Sequence, residues 1–146
     1  YPEKHVEAPD MDTDLSNLAR KVESGADVVI TQLFYDNECF FLFLEEVRKR
    51  GITCPVIPGL LPIHSQVQVE KIAGLCGAEI PAELQRRLEA AGTDPEAAAE
   101  VGVDWCIEQC SGLLEAGVEG IHYYVLNKAR VMEKVIAGLR ARELLI

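Results

Sequence analysis

Several features are scarce or missing in this chain of 146 residues, and each absence argues against a class of protein. No apolar run approaches the roughly 20 residues that span a bilayer, so no membrane segment is expected. No charged stretch leading into an apolar one resembles a secretory signal. Basic residues number 14 against 24 acidic ones, and the net charge of −10 disfavours broad nucleic-acid binding. No G-x-G-x-x-G loop is present to hold a dinucleotide.

The five cysteines contain no C-x-x-C pair and are odd in number, which favours reduced thiols in a cytoplasmic protein over a disulfide framework. Cys106 and Cys110 are four residues apart, and no His or further Cys nearby completes a four-ligand metal set. We therefore expect no metal site, and interpret these two thiols as small apolar core residues.

Short β-branched runs alternate with helical patterns, which predicts an α/β fold with a parallel sheet. The predicted strands are 27–34, 55–60 and 120–126, and the first nine residues are expected to hold a strand end and its loop. The predicted helices are 12–24 with Asp12 as N-cap, 37–50, 66–76 with Val67, Val69 and Ile72 as its apolar residues, 81–91 with Pro81 as first residue, 95–117 with Asp94 as N-cap, and 129–142.

Three strands and one strand end cannot close a barrel, and they leave sheet edges unpaired. We therefore expect this chain, which opens on Tyr1, to be part of something larger. In parallel α/β folds the chemistry lies where strands end, so Gln32 and the Pro58-Gly59 turn are the first candidates for function.

Four motifs in order cover almost the whole chain, namely YPEKH (1–5), ITQLF (30–34), IPGLLP (57–62) and HYYVLN (122–127). With these motifs the chain resembles the methylenetetrahydrofolate reductase family. The resemblance implies a (β/α)8 TIM barrel of which residues 1–146 form the C-terminal half. It also implies FAD-dependent reduction of 5,10-methylenetetrahydrofolate to 5-methyltetrahydrofolate with NAD(P)H, as used in one-carbon metabolism and methionine biosynthesis.

The resemblance also implies individual ligand contacts. The implied FAD contacts are Tyr1, His5, Asp14, Asn17, Arg20 and Lys21. On a helix, Asp14, Asn17 and Lys21 fall within roughly 60° of each other. An aromatic ring suits stacking, and cations suit a pyrophosphate. From the residues alone, the favoured interpretations are a core aromatic for Tyr1, a surface-loop histidine for His5 and an ordinary solvated helix face for the residues of 12–24.

The implied folate contacts are Gln32, Gln68 and Lys128. An amide at a strand end suits a pterin edge, although Gln32 could equally satisfy loop backbone groups. Gln68 in isolation is an ordinary helix residue. Lys128 stands where some members have Arg, and it lacks the bidentate fork of Arg. Ile72 replaces a Phe of certain bacterial members, so it can pack against a ligand without stacking.

No catalytic residue is assigned to this chain, because the family's glutamate acid and flavin-proximal aspartate would precede Tyr1. The acidic residues Glu3 and Asp36 lie near strand ends but match no catalytic position. We expect the chain to be inactive without the N-terminal half of the barrel. One alternative is a non-catalytic half-barrel that binds ligands or acts as a scaffold, and another is an aldolase-like barrel, for which no strand carries the required Lys. The sequence leaves open whether the chain forms a homo-oligomer.

Overall fold

The computed structural model describes residues 1–127 and 129–145, which form six helices around one parallel sheet. The helices are α1 (Met11–Glu23), α2 (Asn37–Lys49), α3 (Gln66–Cys76), α4 (Ala82–Ala91), α5 (Pro95–Glu115) and α6 (Ala129–Ala141), and the strands are β1 (Val29–Leu33), β2 (Val56–Leu60) and β3 (His122–Tyr123). This order confirms the predicted α/β class with a parallel sheet. Within the described residues, no helix is long and apolar enough to cross a membrane.

Side-chain caps fix where the helices begin. The carboxylate of Asp94 accepts the Glu96 N–H at 2.9 Å, as predicted for the start of α5. At α1 the prediction of Asp12 as N-cap is wrong, because Asp10 has the extended backbone and accepts the Thr13 N–H at 2.7 Å. Similarly, Pro81 precedes α4 instead of being its first residue.

The sheet has the order β1-β2-β3, with β2 in the centre and all neighbours parallel. Val29 faces Val56 and Ile30 faces Ile57, but the next pair is Leu33 with Gly59. Three residues of β1 therefore oppose two of β2, so β1 contains a bulge.

The predicted third strand, 120–126, is reduced to His122–Tyr123. One further ladder bond, from the Tyr124 N–H to the Leu60 carbonyl at 2.8 Å, continues the pairing. The strand then ends because Leu126 and Asn127 have φ angles of 48° and 61°, in the left-handed region. Among the described strands β3 pairs only with β2, so few ladder hydrogen bonds hold it extended and the turn can end it early.

No strand forms in residues 1–9, so the predicted strand end is absent. Two turns replace it, with the Lys4 N–H donating to the Tyr1 carbonyl at 3.4 Å and the Ala8 N–H to the His5 carbonyl at 3.0 Å. Lys4 has a φ of 102°, which an extended strand does not allow. This segment consequently lies as a loop against α1.

Two hydrophobic clusters hold the helices to the sheet. The first is centred on Phe34, Phe40 and Leu113, and the second on Leu33, Leu84 and neighbouring residues of α3 and α4. Of the three apolar residues predicted for α3, Val69 is buried and Ile72 packs against the second cluster, whereas Val67 is 74% exposed and does not join it. At about 100° per residue, Val67 lies roughly 200° around the helix from Val69, so it is on the face opposite the cluster that Val69 joins.

Candidate functional site

The N-terminal loop is held against α1 by the side chain of Asp14, whose Oδ2 accepts the His5 N–H at 2.7 Å. The His5 ring is fixed on both sides, because its Nδ1 accepts the Glu7 N–H at 3.1 Å and the Tyr1 ring packs edge-on at 4.4 Å between centroids. With Nδ1 accepting, a neutral imidazole carries its proton on Nε2. His5 therefore offers a hydrogen-bond donor at Nε2. It is a loop residue, as the sequence alone suggests, but its ring has a fixed orientation.

A cavity of about 390 Å³ lies along the outer edge of β1. Its polar lining comes from the N-terminal loop, α1, β1 and the residue after β3, Tyr124. The predicted ligand contacts among its lining residues are Tyr1, His5, Asp14, Lys21 and Gln32. Apolar side chains complete the wall, including Leu15 and Leu18 of α1 and Ile30 of β1. A ring system would thus meet an apolar wall with a few polar groups, as is common in small-molecule sites.

A second cavity, of about 720 Å³, adjoins the first and shares His5, Asp14 and Lys21 with it. Its lining adds Asn17 and Arg20, whose side chains hydrogen-bond to each other. Lys21 makes no ion pair with any described residue. The second cavity therefore presents two cations and an amide at the rim of α1, together with the carboxylates of Asp14 and Glu7. All six predicted FAD contacts line one cavity or the other.

Gln32 is the penultimate residue of β1 and is half-buried. Its Oε1 accepts the N–H of the next residue, Leu33, at 2.9 Å. The side chain therefore satisfies a backbone group and also lines the first cavity. Gln32 therefore does both things that the sequence left open, since it satisfies a loop backbone group and also lines a cavity. Its Nε2 group remains as the polar group that a ligand can contact.

Gln68 lines neither of these cavities. It is the third residue of α3, and its Oε1 accepts the His64 N–H at 2.9 Å while its own N–H donates to the N-cap Ser65 at 3.2 Å. This arrangement resembles a capping box, for which the S-x-x-Q spacing was a readable signal. Its Nε2 is buried and has no hydrogen-bond partner among the described residues. Lys128 lies outside the described residues.

Sequence reasoning missed Thr31 and Tyr124, both of which line the first cavity. Thr31 is 2% exposed, and its carbonyl accepts the Tyr124 hydroxyl at 2.9 Å. The position of Tyr124, directly after the third strand and inside the HYYVLN motif, was the only signal in the sequence. The link across the sheet could not be seen, because 93 residues separate the two partners.

The acidic residues near the strand ends have structural contacts. Asp36 caps α2 by accepting the Glu38 N–H at 3.0 Å. Glu3 accepts the Glu79 N–H at 2.8 Å, and burial raises the pKa of its carboxyl group. Neither residue lines the two cavities, so the structure gives neither of them a place beside a ligand there.

Cys106 and Cys110 are both buried on α5, where Cys110 Sγ lies 3.1 Å from the Tyr123 hydroxyl. Among the described residues, no group of three or more His, Cys, Asp or Glu side chains is arranged to hold a metal ion. The two thiols pack within the first hydrophobic cluster, as interpreted from the sequence.

Comparison with solved structures shows that the fold is shared with an uncharacterized protein from Clostridium thermocellum that binds two copies of 5-methyl-5,6,7,8-tetrahydrofolic acid. The TM-score is 0.57 at 19% sequence identity, and the match covers 92% of this chain and 50% of that chain. At this identity the likeness concerns the α/β fold alone.

Curated proteins give closer sequence matches. The chain is 38% identical to a probable methylenetetrahydrofolate reductase (NADH) of Oryza sativa, with 95% of this chain and 24% of that protein covered. It is 34% identical to the 5,10-methylenetetrahydrofolate reductase of Escherichia coli, with 97% and 48% covered. It thus spans about a quarter of the plant protein and about half of the bacterial one.

The family model described as methylenetetrahydrofolate reductase matches residues 1–140. This range includes all four motifs and every predicted ligand contact, Lys128 among them. The chain therefore belongs to the methylenetetrahydrofolate reductase family.

Proposed function

We propose that residues 1–146 form the C-terminal half of a (β/α)8 TIM barrel that reduces 5,10-methylenetetrahydrofolate to 5-methyltetrahydrofolate with FAD and NAD(P)H. One observation carries this proposal. Five predicted contacts from three separate segments, namely Tyr1, His5, Asp14, Lys21 and Gln32, line a single cavity. Surface residues chosen at random from a loop, a helix and a strand would rarely meet in this way.

The donor set of the two adjoining cavities fits FAD. Arg20 and Lys21 are exposed cations on one helix and suit the pyrophosphate, while Asp14 and Asn17 suit hydroxyl groups of the ribityl or ribose portions. Tyr1, which lines the first cavity, suits contact with a ring. Bound FAD supplies the hydride chemistry, and these residues bind it, orient it and shield one side from water.

The folate contact is assigned to Gln32. The Clostridium thermocellum neighbour, which is described as binding a folate, supports a folate site on this fold. Gln68 is a weaker candidate, since its side-chain oxygen already accepts the His64 N–H and its Nε2 is buried, without a partner among the described residues. Lys128, outside the described residues, stays the predicted cation for the folate carboxylates.

The reductant is proposed as NADH or NADPH. The rice relative is named for NADH, and a probable reductase of Caenorhabditis elegans, 38% identical over 95% of this chain and 21% of that protein, is named for NADPH. The described residues that line the two cavities do not distinguish the two nucleotides.

The proposed partner is the N-terminal half of the barrel. The outer edge of β1 pairs with no described strand, and two apolar residues along it, Val28 and Ile30, are 47% and 49% exposed. Soluble proteins normally cover such an edge. Pairing with a further strand would cover it and close the open side of the first cavity, and the family's catalytic glutamate and aspartate would come from that half.

Complementation tests the proposal. The chain is produced alone or together with the N-terminal half of the Escherichia coli relative. FAD binding is measured from the flavin absorbance, and turnover is measured as NADH oxidation with menadione as electron acceptor. We expect no turnover from the chain alone, and yellow, active protein from the pair. Folding together with FAD but without turnover would favour the non-catalytic alternative, and a pair that assembles without FAD would contradict the proposal.

A pair of lysine variants refines this test. Lys21→Ala in the complemented protein should weaken FAD binding about 10- to 100-fold, because a charge-assisted hydrogen bond to a phosphate is lost. Lys71→Ala removes an exposed lysine of α3 that lines neither cavity, and it should leave FAD binding unchanged. Equal effects of the two substitutions would rule out the assigned role of Lys21.

A further inference from the structure

The bulge in β1 coincides with the one residue of β2 that cannot donate a hydrogen bond. Leu33 pairs with Gly59 and Ile30 with Ile57, so Thr31 and Gln32 together oppose Pro58. Proline has no N–H for the ladder, and inside a sheet it is usually found at an edge or at a bulge. The extra residue in β1 is therefore the local response to a proline in the central strand.

Side chains replace the backbone bonds that the bulge interrupts. The Gly59 N–H donates to the hydroxyl of Thr31 at 2.9 Å instead of to a carbonyl. The carbonyl of Thr31 accepts the hydroxyl of Tyr124 at 2.9 Å. Thr31, which is 2% exposed, thus has both its side chain and its carbonyl satisfied from other strands.

Gly59 makes this arrangement sterically feasible. A Cβ at position 59 would lie 2.3 Å from the Thr31 carbonyl oxygen and 2.8 Å from the Tyr124 ring. Tyr124 therefore crosses the central strand over the glycine to reach β1. The Pro58-Gly59 pair, singled out from the sequence as a turn, acts here inside a strand.

The bulge contains Gln32 and fixes its register against β2. Thr31 and Leu33 are 2% and 4% exposed, while Gln32 between them is half-buried. Thr31 and Gln32 both line the first cavity, and Gln32 is the more exposed of the two. Because side chains alternate along a strand, a change of one residue in register turns each of them to the other face. Holding the bulge therefore holds Gln32 at the cavity.

We propose that Thr31 and Tyr124 are positioning residues that hold the β1 bulge and thereby present the Gln32 amide to the substrate. This inference rests on the proposed role of Gln32 in folate binding. Since Gln32 Oε1 accepts the Leu33 N–H, its Nε2 group is what the ligand meets. The ligand group taken there is a hydrogen-bond acceptor, such as a carbonyl oxygen or a ring nitrogen of a pterin.

A double-mutant cycle tests the coupling, with 5-methyltetrahydrofolate as probe and the complemented protein as host. Tyr124→Phe removes only the hydroxyl and should weaken binding about fivefold, as expected for one neutral hydrogen bond. In a Gln32→Ala background the same substitution should have almost no effect, because Tyr124 acts through Gln32. Tyr35→Phe is the matched control, since the buried Tyr35 hydroxyl has no partner among the described residues.

Equal losses from Tyr124→Phe in both backgrounds would show that Tyr124 acts independently of Gln32, and would overturn the inference. No loss in either background would also overturn it. If Gln32→Ala leaves folate affinity unchanged, or if the protein binds no folate, the proposed function of Gln32 fails instead. A readout that needs no ligand then decides the inference.

That readout is amide hydrogen exchange of the chain. Thr31→Val should speed exchange at Gly59 at least about fivefold, whereas Thr31→Ser, which keeps the hydroxyl, should restore protection. Tyr124→Phe should likewise speed exchange at Leu33, whose N–H is held by Gln32. Unchanged protection at both amides would show that neither side chain holds the bulge, and would refute the inference whether or not folate binds.

Discussion

Gly102, in the middle of α5, tests how closely this helix packs on the sheet. A Cβ at position 102 would lie 2.1 Å from the carbonyl oxygen of Ile63 and 2.7 Å from its carbonyl carbon. Ile63 is itself 2% exposed and follows β2, so its backbone has little room to move. For Gly102→Ala, either α5 or the loop after β2 has to shift.

Two opposing effects set the magnitude. Alanine is favoured over glycine in a helix by about 1 kcal/mol, which would stabilise the variant. Overpacking a dense interior costs about 1–3 kcal/mol, and a clash with backbone atoms belongs at the upper end of this range. We therefore expect Gly102→Ala to lower the free energy of unfolding by about 1–2 kcal/mol.

The same substitution at Gly74 is the matched control. Gly74 is an exposed interior residue of α3, and a Cβ there would meet nothing within 4 Å. Gly74→Ala should therefore raise the free energy of unfolding by about 0.5–1 kcal/mol. Equilibrium unfolding in urea, followed by far-UV circular dichroism, measures both. If the two variants are stabilised alike, the close contact between α5 and Ile63 does not exist in solution.

Three further outcomes follow from burial and charge. Phe40→Ala should lower the free energy of unfolding by about 3–5 kcal/mol in the same urea assay, because Phe40 is fully buried; a loss below about 1 kcal/mol would place it at the surface. The pKa of the Glu3 carboxyl group is higher in the folded protein than in the unfolded chain, so folding favours the protonated carboxyl group. The contribution of Glu3 to stability is therefore fully present below the unfolded pKa of 4.5 and is lost as the pH rises through the pKa of the folded protein. Glu3→Gln, which keeps an acceptor for the Glu79 N–H, should therefore gain stability over the unsubstituted chain between about pH 4 and pH 7, and pH-independent differences would contradict this. Cys106 and Cys110, 3% and 0% exposed, should react with a thiol reagent only on unfolding, and five equally fast thiols would disprove their burial.

Local patterns were sufficient to predict most of the secondary structure. The bounds of α3 were predicted residue for residue, and Asp94 was correctly predicted as the N-cap of α5, because caps and apolar spacing act within a few residues. The N-cap of α1 was misplaced because both Asp10 and Asp12 are suitable by type, and only the backbone angles distinguish them. The third strand was overestimated because its length depends on its neighbour.

The ligand contacts were predicted from family motifs, and their chemistry was accessible from the residue types alone. Asp14, Asn17 and Lys21 share a helix face, which follows directly from their spacing along the chain. No spacing rule predicts that this face adjoins the cavity beside Gln32, because the cavity depends on how α1 and the N-terminal loop pack against β1. These roles stay predictions until FAD and folate binding are measured.

Short-range interactions and motif order were enough to predict the α/β class, most of the helix starts and the family of the chain. Three-dimensional packing was needed for the bulge opposite Pro58, the bond from Tyr124 to Thr31 and the cavity that joins Gln32 to Asp14. Each of these depends on groups that are far apart along the chain and meet only when the strands are side by side. Sheet register and helix packing establish such contacts, and no local pattern encodes them.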